Sequence, residues 1–327
     1  MRKLLKYVGF ILLNIIFLLV GAYFYFVYAP APKEPKLSAV IQNSSLNIGD
    51  RERSYAYYLP SNLPDNAPLV LVLHGAMQNA NGIRSISAFE FERLADKHGF
   101  ALVYPNGFEN HWNDCRKLAP YSAKKLNIDD KGFISTLIDK FQIDFKTDSE
   151  RVFVVGYSNG GQLAYRLALE TPDKIDGIAV IGANLPAKEN SDCQEAKQTI
   201  PAMIINGTAD PINPHNGGDA KFLFRSLGTV LSSNQTAEYF AQINEQTEKP
   251  TISQLPLQEQ SDTTSVQKTS YQSPNKSEVV LYTIEGGGHV VPQPTYENSR
   301  MLGKTTKSLN APAEIWNFFS TISKKSD

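Results

Sequence analysis

The chain has 327 residues, of which 42% are hydrophobic, so it is long enough to form one large domain with its own core. Its 32 basic and 33 acidic residues nearly cancel and leave a net charge of −1. Because no basic block or aromatic-basic stripe interrupts this balance, the composition argues against a nucleic-acid-binding protein.

The N-terminal segment differs from the rest of the chain. Arg2, Lys3 and Lys6 precede an uncharged, apolar run from Tyr7 to Tyr28. At about 1.5 Å per residue, a helix of this length crosses the hydrocarbon core of a bilayer. The basic flank lies before the helix, so the positive-inside rule predicts a cytoplasmic N-terminus and a translocated body. We therefore predict a membrane anchor over residues 1–28, in contact with the membrane through residues 7–28.

A cleaved signal peptide is the alternative for this segment. Val20, Gly21 and Ala22 form a candidate cleavage site. Cleavage there would leave the apolar stretch 23–28 exposed at the new N-terminus, so we favour the uncleaved anchor. Both interpretations predict a body outside the cytoplasm, periplasmic or extracellular, and cleavage would make it a secreted protein.

The body begins after a proline-rich segment. Residues 29–36 contain three prolines and predict a stiff, extended linker, followed by one α/β domain over residues 37–327. Residues 37–42 and 51–59 predict two strands of a hairpin. The continuous apolar run at 69–73 is typical of a central parallel strand covered on both faces.

Strands and helices then alternate along the chain. The pattern predicts helices over 85–98, from Asp129 onward, 232–247 and 313–322, and strands over 100–104, 177–181, 201–205 and 278–284, with a weak edge strand at 266–271. This alternation predicts an α/β fold with a doubly wound, mostly parallel sheet behind the N-terminal transmembrane helix. In such sheets, reactive groups gather beyond the carboxyl ends of the strands.

The central motif lies between a strand and a helix. The apolar run 152–155 leads into Gly156-Tyr157-Ser158-Asn159-Gly160, which matches G-x-S-x-G, and residues at helical spacing follow. Strand, sharp turn and helix are the context of a nucleophile elbow, which predicts Ser158 as a nucleophile. The alternative is a glycine-rich turn in which the serine only caps the helix.

A serine nucleophile needs a base and a carboxylate that orients the base. His289 follows the last predicted strand through three glycines and is the best placed base; the other histidines are His74, His98, His111 and His215. Asp210 comes directly after the strand 201–205, although an aspartate before a proline also caps turns. The order Ser158, Asp210, His289 is that of the α/β-hydrolases.

The tetrahedral intermediate of ester hydrolysis carries an oxyanion that needs hydrogen-bond donors. We predict the backbone amide of Asn159, directly after the nucleophile, as one donor. The second donor is expected in the loop after strand 69–73, from Ala76, with Met77 as the alternative.

Taken together, these motifs resemble the poly(3-hydroxybutyrate) depolymerase-like esterases, which include feruloyl and acetylxylan esterases. The resemblance extends from about Arg51 to about Ile322 and rests on the segments 73–75, 112–113, 128–133, 156–161, 206–211, 285–289 and 313–319. It implies the α/β-hydrolase fold and a carboxylic-ester hydrolase with Ser158 as nucleophile, His289 as base and Asp210 as orienting acid. It implies no cofactor and no metal.

The two cysteines, Cys115 and Cys193, either form a disulfide or remain as two free buried thiols. An exported body permits a disulfide, and the resemblance supports this pair because exported members commonly carry cysteines near both positions.

Substrate specificity is the least determined property. The chain has Val290-Val291-Pro292 where the family usually has Thr-Trp-Pro, and His215 where an aromatic residue is common. Trp112, Asn113 and Tyr157 are candidates for the pocket wall, while an ordinary core tryptophan is the alternative for Trp112. We expect small or oligomeric esters as substrates. A serine peptidase with the same triad and a non-catalytic envelope binding protein are the competing hypotheses.

Overall fold

A computed structural model describes residues 2–222 and 224–322 of the chain. Its helices are α1 (Arg2–Ala22), α2 (Ala80–Ile86), α3 (Glu90–His98), α4 (Ser122–Lys125), α5 (Asp130–Phe145), α6 (Asn159–Glu170), α7 (Ser233–Ile243) and α8 (Ala311–Thr321). Its strands are β1 (Gln42–Ile48), β2 (Arg51–Tyr58), β3 (Leu69–Leu73), β4 (Ala101–Pro105), β5 (Val152–Tyr157), β6 (Gly177–Ile181), β7 (Ala202–Gly207), β8 (Gly218–Phe222), β9 (Arg225–Val230), β10 (Thr251–Gln254), β11 (Ser265–Tyr271) and β12 (Val279–Glu285).

In the described part of the chain, ten strands form one sheet in the order β1-β2-β4-β3-β5-β6-β7-β12-β11-β10. The six central strands, from β4 to β12 in that order, are parallel, and the two strands at each edge pair antiparallel. Strands β8 and β9 form a separate antiparallel hairpin. The predicted mostly parallel α/β sheet is therefore confirmed.

Helices cover both faces of this sheet, which explains the uninterrupted apolar sequences of the central strands. Every residue of β3 is buried, and because side chains alternate along a strand, Leu71 and Val70 enter different clusters. The Leu71 face packs against α5, α6 and α7. The Val70 face packs against α2, α3 and α8.

The predicted strand over residues 37–42 is wrong. The first strand of the hairpin is Gln42–Ile48, and it pairs with β2 so that Ile48 lies opposite Arg51. The two residues between them, Gly49 and Asp50, form the turn, and Gly49 has a φ of 60°. A two-residue hairpin turn with a glycine at positive φ matches the natural twist of paired strands, and this turn determines the register.

The predicted single helix over residues 85–98 is also wrong, because the structure divides this stretch into α2 and α3. Ala88 and Phe89, between them, have φ values of 53° and 57°, which no α-helix accommodates. A buried ion pair joins the two helices, with Arg84 Nε 2.6 Å from Glu92 Oε1. The sequence prediction also missed β10 and the β8–β9 hairpin.

At the N-terminus, the helical stretch Lys6–Val27 has 22 residues, a mean hydropathy of 2.4 and no residue buried against the body. It is long and apolar enough to cross a membrane, as a signal sequence would also be. The predicted linker contacts the body, because Glu34 Oε1 lies 2.7 Å from Arg84 Nη2. The outer limits of the predicted domains, at residues 1 and 327, lie outside the described residues.

Candidate active site

Ser158 lies at the sharp turn between β5 and α6. Its backbone has φ 54° and ψ −116°, outside the conformations that ordinary residues favour, and its amide donates to Ile181 O over 2.8 Å. The turn leaves no room for neighbouring side chains. A Cβ on Gly156 would lie 2.3 Å from Gly160 O, and one on Gly160 would lie 2.4 Å from Leu73 O. The two glycines of the motif are therefore required by close backbone approach.

The structure brings together the three side chains predicted as the catalytic set. His289 follows β12 through a triple-glycine turn, and its Nε2 lies 2.9 Å from Ser158 Oγ. Its Nδ1 lies 2.7 Å from Asp210 Oδ2, at the end of β7. Both distances are those of hydrogen bonds. The three residues lie beyond the carboxyl ends of three parallel strands, where such sheets concentrate reactive groups.

Asp210 is held in one orientation. Its second oxygen, Oδ1, accepts from the amides of Ile212 at 2.7 Å and Asn213 at 2.8 Å. The carboxylate side chain has no exposed surface. The turn-capping role considered for Asp210 is therefore present together with its contact to His289, because the two oxygens serve different partners.

Tyr157 takes a different position from the predicted one on the pocket wall. Only 4% of it is exposed, and its hydroxyl donates to His289 O over 2.8 Å. Burial, and secondly the Asp210 charge, raise the pKa of Tyr157, so the phenol remains a donor. The amide of His289 in turn donates to Leu302 O over 2.6 Å. Tyr157 and the Leu302 carbonyl thus fix the backbone of the predicted base.

Two backbone amides are available where an oxyanion is expected to bind. The Asn159 amide opens α6, where the first N–H groups of a helix have no partner within the helix. Among the described residues, no backbone acceptor takes the amides of Asn159 and Ala76. By contrast, the Met77 amide donates to Asn110 O over 2.9 Å. This bond favours Ala76 over Met77 as the second donor.

The Asn159 side chain anchors the loop that carries Cys115. Its Oδ1 accepts from the Trp112 amide over 2.8 Å, and its Nδ2 donates to Asp114 Oδ2 over 2.6 Å. Asp114 also pairs with buried Arg116. Sequence reasoning missed this pair, although an aspartate and an arginine on either side of a cysteine are a visible signal.

The structure joins Cys115 to Cys193 in a disulfide. Cys115 lies between Asp114 and Arg116, so the disulfide ties down the loop that contacts Asn159.

Trp112 and Asn113 are buried, and both donate side-chain hydrogen bonds to backbone carbonyls. Trp112 has no exposed surface, and its indole Nε1 donates to His74 O over 2.8 Å. Asn113 is 4% exposed and donates from its side chain to Ile128 O over 2.9 Å. Both side chains hold loops beside the site in place, as the core alternative for Trp112 expects.

His74 belongs to the turn that supports Ala76. Its Nδ1 donates to Gly75 O over 2.7 Å, and its Nε2 accepts from the Gly107 amide over 2.9 Å. Burial lowers the pKa of His74 to about 4. The ring is therefore neutral at pH 7, with its proton on Nδ1, and has no free nitrogen for catalysis.

Over the described residues, no group of three or more His, Cys, Asp or Glu side chains is arranged to bind a metal ion. The chemistry available at this site is that of a hydroxyl, an imidazole, a carboxylate and two backbone donors.

Comparison with known proteins identifies the family. Residues 53–230, more than half of the chain, match the family model described as "Esterase PHB depolymerase". The chain belongs to this esterase family. The predicted family resemblance is confirmed, as is the prediction of a carboxylic-ester hydrolase.

The named relatives described next are distant in sequence from this chain. It is 27% identical over 295 residues to NocK of Nocardia uniformis subsp. tsuyamanensis, whose name describes an esterase, with 86% of this chain and 83% of NocK covered. It is 28% identical over 269 residues to the poly(3-hydroxyalkanoate) depolymerase C of Paucimonas lemoignei, covering 78% of this chain but only 62% of that protein.

A solved structure supports the fold. The acetyl xylan esterase from Aspergillus awamori matches with a TM-score of 0.54 at 16% identity, over 78% of this chain and 96% of that one. At this identity the likeness concerns the fold alone, and it agrees with the α/β-hydrolase prediction.

Proposed function

We propose that this family member is a membrane-anchored, extracytoplasmic serine esterase that hydrolyses small or oligomeric carboxylic esters through an acyl-enzyme. The observation that carries the proposal is the continuous chain of hydrogen bonds from Ser158 Oγ through His289 to Asp210, with lengths of 2.9 and 2.7 Å. Such a chain activates a hydroxyl that is otherwise a poor nucleophile at neutral pH.

In this mechanism, Ser158 Oγ attacks the carbonyl carbon of the ester while its proton moves to His289 Nε2. Asp210 Oδ2 accepts from Nδ1–H and stabilises the imidazolium that forms. The amides of Asn159 and Ala76 bind the negative oxygen of the tetrahedral intermediate, a contribution typically worth about 10²–10³-fold in kcat per donor.

Collapse of the intermediate expels the alcohol, which takes the proton from His289 Nε2. Water then attacks the acyl-enzyme, with His289 accepting a proton from the water. The second tetrahedral intermediate breaks to release the acid and to return the proton to Ser158 Oγ. The cycle consumes one ester and one water and yields one acid and one alcohol.

The proposed location rests on two features. The apolar helix Lys6–Val27 follows a basic start to the chain and is long enough to span a bilayer. The disulfide between Cys115 and Cys193 is typical of an oxidising compartment outside the cytoplasm.

A fluorophosphonate probe tests the proposed nucleophile directly. We expect the full chain, in detergent micelles, to be labelled and to release acid from short-chain esters, and we expect the Ser158→Ala variant to do neither. Ser191→Ala, a serine outside the elbow, is the matched control and should label as the parent does. An unlabelled parent would favour a binding protein, and cleavage of amide substrates in preference to esters would favour a peptidase.

A further inference from the structure

An apolar groove begins one residue away from the predicted oxyanion donor Ala76. It has a volume of about 500 Å³. Its lining is rich in large apolar and aromatic side chains, which include Met77, Tyr121, Phe222, Phe224 and Leu227. A cleft of this size falls in the range of small-molecule sites.

One wall of the groove is attached to the nucleophile side of the site. Met77 follows Ala76 directly, and its amide is bonded to Asn110 O. His111, next along that loop, stacks on Tyr121 with ring centroids 4.4 Å apart. Trp112 then bonds to Asn159, the residue after Ser158. This wall is therefore continuous with the elbow.

The opposite wall is the β8–β9 hairpin, which is attached to the acid. Ala220, Leu227 and Val230 form a small buried cluster under the hairpin, against which Ile212 packs. The Lys221 amide donates to Ile212 O over 3.0 Å, and the Ile212 amide donates to Asp210 Oδ1 over 2.7 Å. The hairpin is thus held two hydrogen bonds away from the catalytic carboxylate.

The hairpin carries aromatic side chains that contribute little to the core. Phe224 is fully exposed and Phe222 is 36% exposed, and Met77 across the groove is 67% exposed. Exposed aromatic rings of this size have a free-energy cost in water that a bound apolar group would relieve. The two walls are therefore connected to the site by hydrogen bonds, one to Asn159 and the other to Asp210.

We propose that this groove binds the large apolar group of the ester substrate, and that Phe222 and Phe224 determine the preference for such esters over acetates of small alcohols. The inference rests on the proposed esterase function and specifies its substrate class. The apolar group is either an aryl ring or an aliphatic chain, and it belongs to either the acyl or the alcohol part of the ester. The four esters in the experiment below distinguish these four combinations.

The kinetic experiment compares the full chain with the Phe222→Ala/Phe224→Ala variant in detergent micelles. A pH-stat measures kcat/KM for methyl 3-phenylpropanoate, methyl octanoate, 2-phenylethyl acetate and octyl acetate, each divided by the value for methyl acetate. We expect the ratio for at least one ester to fall about tenfold or more, which is the usual discrimination of an apolar pocket. Ile143→Ala, which removes an exposed apolar side chain from α5, should leave all ratios unchanged.

Unchanged ratios in the double variant would overturn the proposal. An equal loss on all five esters gives this result too, and it would indicate damage to the catalytic groups. A loss seen only on esters presented in vesicles would also overturn it, since the hairpin would then contact a surface and not a substrate.

A binding measurement separates this proposal from the esterase function itself. Saturation-transfer NMR detects 2-phenylethanol and octanol on the full-length Ser158→Ala protein, where no turnover occurs. Binding that is lost in Ser158→Ala/Phe222→Ala/Phe224→Ala supports the groove even if the parent cleaves no ester. Equal signals from the two proteins would contradict it, whatever the parent hydrolyses.

Discussion

At Ser158, backbone strain and chemistry meet in one residue. A φ of 54° with ψ of −116° costs a β-carbon-bearing residue about 1–3 kcal/mol. The surrounding structure maintains it through the Ile181 carbonyl, the start of α6 and the close approach of Gly156 to Gly160. The strain lifts the hydroxyl out of the strand and towards His289, as the proposed nucleophile requires.

Asp210 provides the first prediction at the residue scale. In Asp210→Asn, Oδ1 can still accept from the amides of Ile212 and Asn213, so the Nδ2 group faces His289. An amide donor there forces the proton of His289 onto Nε2, and the ring can no longer accept the proton of Ser158. We expect kcat for ester hydrolysis to fall by about 10⁴-fold with little change in thermal stability.

The matched control is Asp173→Asn, which makes the same change at an exposed aspartate and should leave kcat within twofold. If Asp210→Asn retained more than a tenth of the parent's kcat, Asp210 would not be the residue that orients His289.

His74 provides a pH prediction. Its pKa in the folded chain is about 4, and burial is the main cause of this low value. The hydrogen bond to Gly75 O acts in the opposite direction, and the charges of His111 and Arg53 lower the pKa further. The ordinary value for an unfolded chain is about 6.5. As the pH falls, His74 is protonated in the unfolded chain at a higher pH than in the folded chain. The contribution of neutral His74 to the free energy of unfolding is therefore complete above pH 6.5 and is lost as the pH falls towards 4. The loss amounts to about 3 kcal/mol.

The measurement is the midpoint of thermal unfolding of the full chain between pH 7 and pH 4, compared with His74→Gln. Glutamine keeps a donor and an acceptor but does not titrate, so its curve lacks this contribution. We expect the parent to lose roughly 6–10 °C more than the variant over this range. Parallel curves would mean that His74 does not titrate with a lowered pKa.

At the scale of elements, the loop over residues 112–116 shows how a stabilising device supports a site. The side-chain oxygen and nitrogen of Asn159 both form hydrogen bonds with this loop. The ion pair between Asp114 and Arg116 and the disulfide of Cys115 hold the loop in place. The disulfide is therefore connected to the predicted oxyanion site through the side chains of Asp114 and Asn159. An element outside the parallel sheet thus stiffens the start of α6.

Reduction of the disulfide tests this connection. The bond closes a loop of 78 residues, for which the chain-entropy model gives about 4 kcal/mol of stabilisation. We expect a reductant to lower the thermal midpoint of the full chain by on the order of 10 °C. We also expect it to lower kcat for esters, because the Asn159 amide loses its rigid support.

The control is the Cys115→Ala/Cys193→Ala variant. Without reductant, its thermal midpoint and its kcat should already be as low as those of the reduced parent. Adding reductant should change neither value. A reductant effect that persists in this variant would show that the change lies elsewhere in the molecule.

At the scale of the whole molecule, the helix Lys6–Val27 lies outside the core and meets the body at a loop near the site. Ser299 Oγ donates to Phe26 O over 2.8 Å, and the Arg300 guanidinium carbon lies 4.3 Å from the Tyr25 ring centroid. The same loop supplies the Leu302 carbonyl that binds the His289 amide. We propose that an anchor attached at this loop holds the rim of the sheet that carries His289 close to the membrane surface.

Membrane fractionation tests the anchor. We expect the full chain to stay in the membrane pellet after extraction with alkaline carbonate, because a spanning helix is not removed by breaking ionic contacts. The body should be digested by protease added from outside the cytoplasm. A deletion of residues 2–28 is the control and should be soluble inside the cell. A mature protein that begins after Ala22 and lies in the soluble exported fraction would identify a cleaved signal peptide instead.

The sequence by itself determined the fold class and the candidate catalytic residues, because both depend on local patterns. Buried parallel strands require continuous apolar runs, and an elbow requires glycines at fixed spacing around Ser158. Ser158, Asp210 and His289 were predictable since each lies within four residues of the end of a strand, and parallel strands end at the same edge of the sheet. The N-terminal apolar run is likewise readable from composition and length alone.

The tertiary structure alone decided everything that depends on contacts between segments distant in sequence. The break between α2 and α3 follows from a buried pairing of Arg84 with Glu92, which helical periodicity does not encode. Tyr157 and Trp112 are aromatic residues of the kind that often line pockets, yet each donates a hydrogen bond to a buried backbone carbonyl. The apolar groove forms only when the β8–β9 hairpin is placed opposite Met77, and neither segment carries a sequence pattern that specifies the other.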